Sequence, residues 1–252
     1  MIERGEVRIN GKKLTTPAFK VNGRENITVD GKKVKPLEPI RAWRYHKPSG
    51  LITTTNDPEG RATIFEQLSK ALPRTITIGR LDLTTEGLLL LTNDGGLARA
   101  MELPKTGFHR FYRARAHGKV TQEQLDTLKA GITVEDGTRY GSIIATLDRE
   151  TGTNNWINVE LTEGKNREVR KALEHLGLKV NRLIRTQYGP FELGDLRPGA
   201  VEEIPPNLMR SLLSEAISME FLPAETEAPK PERSRTSRPH KPNQRRRREA
   251  RD

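Results

Sequence analysis

The chain has 252 residues, 33% of them hydrophobic, with a mean hydropathy of -0.71 and no cysteine. That excludes disulfides, thiolate catalysis and cysteine-held zinc or iron–sulfur sites, and it leaves apolar material for a core over part of the length only. Lysine and arginine outnumber aspartate and glutamate 44 to 33, giving a net charge of +11 and a pI near 10.0. Such an excess favours a polyanionic partner, nucleic acid ahead of an acidic membrane surface. Residues 223–252 hold ten Lys and Arg against five acidic residues, so the remainder still carries +6. No apolar run approaches the ~18 residues of a membrane span. Met1-Ile2-Glu3-Arg4-Gly5 lacks the apolar core of a signal peptide, so the expected location is the cytoplasm.

Residues 1–36 read as a small module of hairpins. Val7 and Ile9 alternate with Arg8 ahead of Asn10-Gly11, and Ile27 and Val29 precede Asp30-Gly31. Asn-Gly and Asp-Gly tolerate positive φ at both positions and so favour two-residue hairpin turns. Lys35-Pro36-Leu37-Glu38-Pro39 reads as a stiff linker. A compact region, 40–222, follows. Thr63-Ile64-Phe65-Glu66 predicts a capping box opening a helix with Leu68 and Leu72 on one face, stopped by Pro73. Thr75-Ile76-Thr77-Ile78 alternates as a short strand, and Leu88-Leu89-Leu90-Leu91 lies in a wholly apolar one. Thr121-Gln122-Glu123-Gln124 opens a second helix ending at Gly131, Trp156 to Leu161 alternates as a half-buried strand, and Val169, Ala172, Leu173 and Leu176 recur at helical spacing up to Gly177. Short strands and few helices in irregular order imply an α+β fold with a mixed or antiparallel central sheet. From 223 onward Pro, Arg, Glu and Ser dominate, and a disordered basic tail is expected, with Arg245-Arg246-Arg247-Arg248 attracting RNA non-specifically or merely solvating.

Chemistry concentrates in Gly79-Arg80-Leu81-Asp82, between the two apolar strands. A turn there holds the carboxylate of Asp82 at the rim of a sheet, within reach of a ligand. The five histidines fit no metal-ligand spacing, and there is no phosphate-binding glycine loop, serine nucleophile elbow or HExxH.

The run from Gly79 to Gly95 resembles, almost residue for residue, the signature of the RsuA-type family of pseudouridine synthases. By that resemblance Asp82 is the catalytic residue, and the reaction breaks a uridine's N1–C1′ bond, rotates the uracil and rejoins it through C5, with no metal, nucleotide or redox cofactor. A carboxylate can serve as nucleophile or as the base that starts an elimination. Glu163-Gly164-Lys165-Asn166-Arg167-Glu168-Val169-Arg170-Lys171 resembles the family's third motif, which implies that Arg170 pairs with Asp82; Lys165, Arg167 and Lys171 read as phosphate contacts or as a solvated basic face. Phe108-His109-Arg110-Phe111-Tyr112-Arg113 resembles the segment whose tyrosine, here Tyr112, stacks on the target uracil. Arg80 is expected either to fill the space of the flipped base or to pair with Asp82 or Glu86. Tyr45-His46-Lys47-Pro48-Ser49-Gly50 resembles the opening of the catalytic domain and shapes a loop near the pocket.

Gly5-Glu6-Val7-Arg8-Ile9-Asn10-Gly11-Lys12 resembles the back half of an S4 domain, so 1–36 is expected to be a partial S4-like RNA-binding module, without the two helices that precede this point in the family. The chain from about Gly5 to Leu213 carries the resemblance. Asn56-Asp57-Pro58-Glu59-Gly60-Arg61, the third motif, and Asn181-Arg182-Leu183-Ile184-Arg185 before Tyr188-Gly189 are similar to the branch acting on large-subunit ribosomal RNA. The expected partner is that RNA or an assembly intermediate, with no membrane and with the chain a monomer. Two other readings are the same reaction on small-subunit (16S) or another RNA, and a non-catalytic S4-type RNA-binding protein.

Overall fold

The protein is described from a computed structural model. The structure describes residues 1–225 apart from 23, 35–37, 56, 69–71 and 152. Residues 35–37 of the expected 35–39 linker and the tail beyond 225, with Arg245–Arg248, lie outside the described residues.

The N-terminal strands β1 (Val7–Ile9), β2 (Lys12–Lys13), β3 (Ile27–Val29) and β4 (Lys32–Lys33) form a separate sheet in the order β2-β1-β3-β4. Both hairpins turn as their sequences demand: Asn10 and Gly11 have φ of 50° and 83°, Asp30 and Gly31 of 49° and 75°. Positive φ at both central positions matches the right-handed twist of the flanking strands.

The rest of the chain builds one mixed sheet. Its elements are β5 (Ala42–Lys47), α1 (Ile64–Gln67), β6 (Ile76–Ile78), β7 (Thr85–Thr92), α2 (Gly95–Glu102), β8 (Arg110–His117), α3 (Gln122–Asp126), β9 (Ile132–Thr133), β10 (Arg139–Tyr140), β11 (Ile143–Thr151), β12 (Asn154–Leu161), α4 (Glu168–His175), β13 (Lys179–Tyr188), β14 (Phe191–Glu192), β15 (Val201–Ile204) and α5 (Pro206–Leu213). The sheet runs β11-β12-β8-β13-β7-β5-β15, with β14 on β13 and β6 on β7; β9 and β10 pair apart. Among the described strands of this sheet, only the β13–β7 pair is parallel. No helix among the described residues is long and apolar enough to cross a membrane.

Burial explains why the strands differ in pattern. Leu88 and Leu90 of β7 pack with α2, α5 and Tyr188, whereas Leu89 and Leu91 pack with Trp43, Tyr45, Ile64 and Leu81. Both faces of β7 are covered, so it reads as an uninterrupted apolar run. By contrast β12 alternates: Ile157, Val159 and Leu161 are buried against α3 and α4, while Asn158 and Glu160 face outward. The half-sheet β11-β12-β8-β13 therefore has one packed face.

Capping boxes form at Thr63/Glu66 and Thr121/Gln124. The first helix is shorter than its sequence pattern implies. It ends at Gln67 because Leu68 turns extended (φ −63°, ψ 139°), so Leu72 is not on its face, although both leucines pack on the same cluster. The second helix tightens into a 3-10 turn over Thr127–Ala130 and stops at Gly131 (φ 77°), as expected.

Candidate active site

One edge of β7 is shared by two strands. β6 pairs with its end, Leu90 to Thr92, and β13 with its start, Thr85 to Gly87. The segment 79–84 emerges where the edge passes from one partner to the other, and a cavity of about 850 Å³ opens there. Asp82, 31% exposed at its side chain, lines it together with Arg80, Tyr112, Lys165, Arg167 and Arg185.

The backbone under Asp82 is fixed from three directions. Gly79, in the left-handed region at φ 70°, donates its N–H to Glu102 Oε1 at 2.6 Å. Leu81 is tied to Thr53, whose hydroxyl donates to Leu81 O at 2.8 Å and accepts from Leu81 N at 3.3 Å. Lys47, wholly buried, donates to the carbonyls of Asp82 (3.0 Å), Leu83 (3.3 Å), Thr85 (2.9 Å) and Pro48 (3.2 Å). Burial pushes the Lys47 ammonium down to about 8, with Asp82 and Glu86 opposing the shift. This role for Lys47 goes beyond the loop-shaping function expected of its segment. Nothing local in the sequence signals it, because its acceptors other than Pro48 lie 35 to 38 residues along the chain.

The cations divide in a way the sequence does not show. Arg167 Nη1 stands 3.9 Å from Asp82 Oδ2. Arg170, expected to be the ion-pair partner, is 5% exposed and instead donates to Thr84 O and Val180 O, both at 3.1 Å. It spans from α4 to the Asp82 loop and to β13. Burial, then repulsion by Arg167, lowers its pKa, and Asp82 counteracts both. The exchange of roles follows from the helix start: Arg167 occupies the N-cap of α4 at φ 53°, which turns it towards the cavity, while Arg170 lies on the buried side. A residue with a Cβ held in the left-handed region is strained, a feature that clusters at functional sites.

Tyr112 is half-buried on the cavity floor, directly across from Arg185 in the β8–β13 register. Arg80 is exposed at the rim and makes no ion pair or hydrogen bond among the described residues; Glu86, one of its candidate partners, is held by Arg182 at 2.9 and 3.0 Å. Lys165 lines the cavity while bonded to Glu163 (3.0 Å) and Arg139 O (2.8 Å). Lys171 does not line it: the ammonium points away to Asp136, 2.6 Å distant.

Four further groups at the site are not signalled by any local sequence pattern. Arg110 and Arg185 cover the ring of Tyr188, at 4.7 and 5.0 Å from its centroid, and all three line the cavity. Glu168 is 4% exposed and accepts from Lys165 N (3.0 Å). Burial raises its carboxyl to about 7, and neighbouring Glu163 adds to the rise. Among the described residues no cluster of His, Asp or Glu is arranged to hold a metal ion.

A carboxylate on a pinned backbone, open to a cavity rimmed by guanidinium groups and floored by a tyrosine, suits a reaction on an anionic, ring-bearing substrate. Comparison with known proteins agrees. The family described as RNA pseudouridylate synthase matches residues 42–175. An uncharacterized RNA pseudouridine synthase of Rickettsia typhi is 42% identical over 221 residues, 86% of this chain and 89% of its own length. The ribosomal large subunit pseudouridine synthase B of Pseudomonas aeruginosa is 39% identical over 209 residues, covering 81% of this chain and 54% of that protein. The protein of the same name from Salmonella typhi is 40% identical over 205 residues, 77% of this chain and 68% of that one. A solved pseudouridylate synthase shares the fold at a TM-score of 0.62 and 23% identity, over 86% of this chain and 90% of its own. On a family match across half its length and relatives of this identity, the chain belongs to the RsuA-type pseudouridine synthases and is an enzyme that converts uridine to pseudouridine in RNA.

Proposed function

We propose that the substrate is one uridine of large-subunit (23S) ribosomal RNA and that Asp82 is the catalytic residue. The names of the Pseudomonas and Salmonella relatives support the choice of RNA. The observation that carries the choice of residue is the Asp82 carboxylate, partly exposed in the cavity, 3.9 Å from Arg167, on a loop held by Lys47, Thr53 and Glu102.

The uridine leaves its stack and enters the cavity. Tyr112 stacks on the uracil and Arg80, without an ion pair or hydrogen bond among the described residues, occupies the vacated space. Arg167 faces the Asp82 carboxylate, and Arg170, through its bond to Thr84 O, holds the loop that carries it. Two routes fit: the carboxylate adds to the substrate as nucleophile, in a bond that breaks again as C5 joins C1′, or it removes a ribose proton and returns it in that same joining step. In both, the N1–C1′ bond breaks with its electron pair staying on uracil. The ring turns, C5 bonds to C1′, the C5 proton is lost and N1 takes one up. Lys165 and Arg167 contact flanking phosphates; Lys171 needs to leave Asp136 before it can join them. Residues 1–36 and the basic stretch 223–252 add affinity for RNA around the catalytic region, 40–222, and the chain works as a cytoplasmic monomer.

Pseudouridine mapping of both ribosomal RNAs from cells lacking the protein tests this. Loss of one 23S modification, restored by the wild type and not by Asp82→Ala, is expected. Loss at a 16S site redirects the substrate; restoration by Asp82→Ala refutes the residue.

A further inference from the structure

Apart from Ile184, which packs against the core beneath Leu88 and Leu90, the half-sheet β11-β12-β8-β13 presents its second face to solvent. Cα pairing places Arg149, Trp156, Arg115 and Arg182 in one row across the four strands. The adjacent row holds Asn154, His117 and Lys179; in the other direction come Asn158 with Arg113, then Glu160 with Phe111 and Gln187. Paired positions in adjacent strands point to the same side, so these side chains share a face.

The acidic groups on this face are already engaged. Asp148 holds Arg113 at 2.8 Å, Glu160 holds His109 at 2.6 Å and Glu86 holds Arg182 at 2.9 Å. Arg115, Arg149 and Lys179 are exposed and have no ion pair or hydrogen bond among the described residues, so the net charge presented is positive. Two aromatic rings stand among them. Trp156 is half-buried with the Arg113 guanidinium 4.6 Å from its centroid, and Phe111 stacks with His109 at 6.3 Å. Four residues of β12 separate their rows, roughly 14 Å along the strand. A pocket of about 230 Å³ opens beside Phe111, lined also by Tyr112, Ile144, Asn158, Thr186 and Gln187. The Thr186 hydroxyl and the Gln187 Nε2 donate to Phe111 O and Gly189 O, and the Asn158 amide, with no hydrogen bond among the described residues, suits the edge of a base.

Uncovered antiparallel strands that combine spaced aromatics with unpaired cations suit single-stranded nucleic acid: rings take bases on their faces, cations take phosphates, and splayed bases expose edges to side-chain amides. We propose that this face is a second RNA-binding surface, on which a single-stranded stretch of the substrate RNA stacks on Phe111 and Trp156 while Arg115, Arg149 and Lys179 hold its phosphates. The face lies across the sheet from the side chains of Leu183 and Val159, and none of these five residues lines the catalytic cavity. Binding here requires RNA as substrate but not the assignment of Asp82.

Trp156 provides the readout, because the only other tryptophan, Trp43, is 2% exposed. The full chain is titrated with a twelve-nucleotide oligoadenylate, which holds no uridine and needs no turnover, while tryptophan fluorescence is followed. Quenching is expected in the wild type and absent in Trp156→Phe. The double variant Arg115→Glu/Arg149→Glu is expected to bind at least tenfold more weakly at the same salt, with an unchanged thermal unfolding midpoint. No quenching in the wild type, as when the face serves a protein partner, overturns the proposal. So does an unchanged affinity in the folded double variant.

Discussion

Replacing Lys47 with methionine removes a wholly buried ammonium that donates to four carbonyls, two of them in the Asp82 loop and one at the start of β7. The shortest bonds, to Thr85 O (2.9 Å) and Asp82 O (3.0 Å), are charge-assisted and contribute about 1.5–3 kcal/mol each. Against their loss stands relief from burying a charge. Lys47 titrates near 8 instead of 10.5, equivalent to roughly 3 kcal/mol. The net change in stability is therefore small, about 0–3 kcal/mol, with a drop in Tm of at most roughly 10 °C. The local effect is larger. Leu83 and Asp82 lose the group that fixes them, and a displacement of about 1 Å at a reacting atom costs on the order of 100-fold in rate. Single-turnover release of tritium from C5 of labelled uridine in RNA is expected to slow by that factor, with RNA affinity kept within about twofold. Because the folded pKa is depressed, the unfolded chain binds the extra proton between pH 8 and 10.5; wild-type stability rises with pH across that window and Lys47→Met lacks the rise. A folded Lys47→Met enzyme that releases tritium at the wild-type rate refutes the clamp.

Glu168 titrates near 7, raised by burial from 4.5, so the fold holds a proton that the unfolded chain has released. Its stabilisation is complete below pH 4.5 and is lost as pH climbs through 7, a span of roughly 3 kcal/mol. Denaturant unfolding at pH 5 and pH 8 is expected to show this fall in the wild type and not in Glu168→Gln; equal slopes in the two proteins contradict it. Gly87 sits at φ 103° in β7, and a Cβ there stands 2.3 Å from Arg185 O and 2.7 Å from Arg185 N. Gly87→Ala forces β7 from β13 and is expected to unfold at a markedly lower temperature or fail to fold, whereas an unshifted midpoint rules out the close approach. Arg80→Ala is expected to slow modification of a uridine embedded in a stem at least tenfold and to spare a uridine in an unpaired strand. Equal slowing of both substrates assigns Arg80 a different task.

Local chemistry made several elements legible before any coordinates. Asn10-Gly11 and Asp30-Gly31 each require positive φ, and both turns have it. Thr63 and Thr121 capped helices because a hydroxyl and a glutamate or glutamine three residues on satisfy each other's N–H groups. The Gly79–Asp82 signature stood out through its resemblance to the RsuA-type family, because an aspartate after a strand is by itself ordinarily a turn or N-cap residue. What the sequence did not reveal depends on long-range contact. Lys47 meets the Asp82 loop through the β5–β7 pairing, and Arg185 reaches the cavity through the parallel β13–β7 pair. Arg167 and Arg170 are three residues apart in one basic run, and only the left-handed start of α4 separates the exposed cation from the buried one. Lys171 looked equivalent to Lys165 until Asp136 was brought beside it. The first helix stopped early because Leu68 serves the core better extended than helical.

The most direct measurement is pseudouridine formation by purified Asp82→Asn enzyme on a ribosomal RNA fragment that the wild type converts completely. Asparagine keeps the shape of the side chain and removes its charge, so the RNA is expected to bind with undiminished affinity and to yield no pseudouridine. Conversion by that variant at a rate within tenfold of the wild type means that the carboxylate beside Arg167 is not the group that breaks the glycosidic bond.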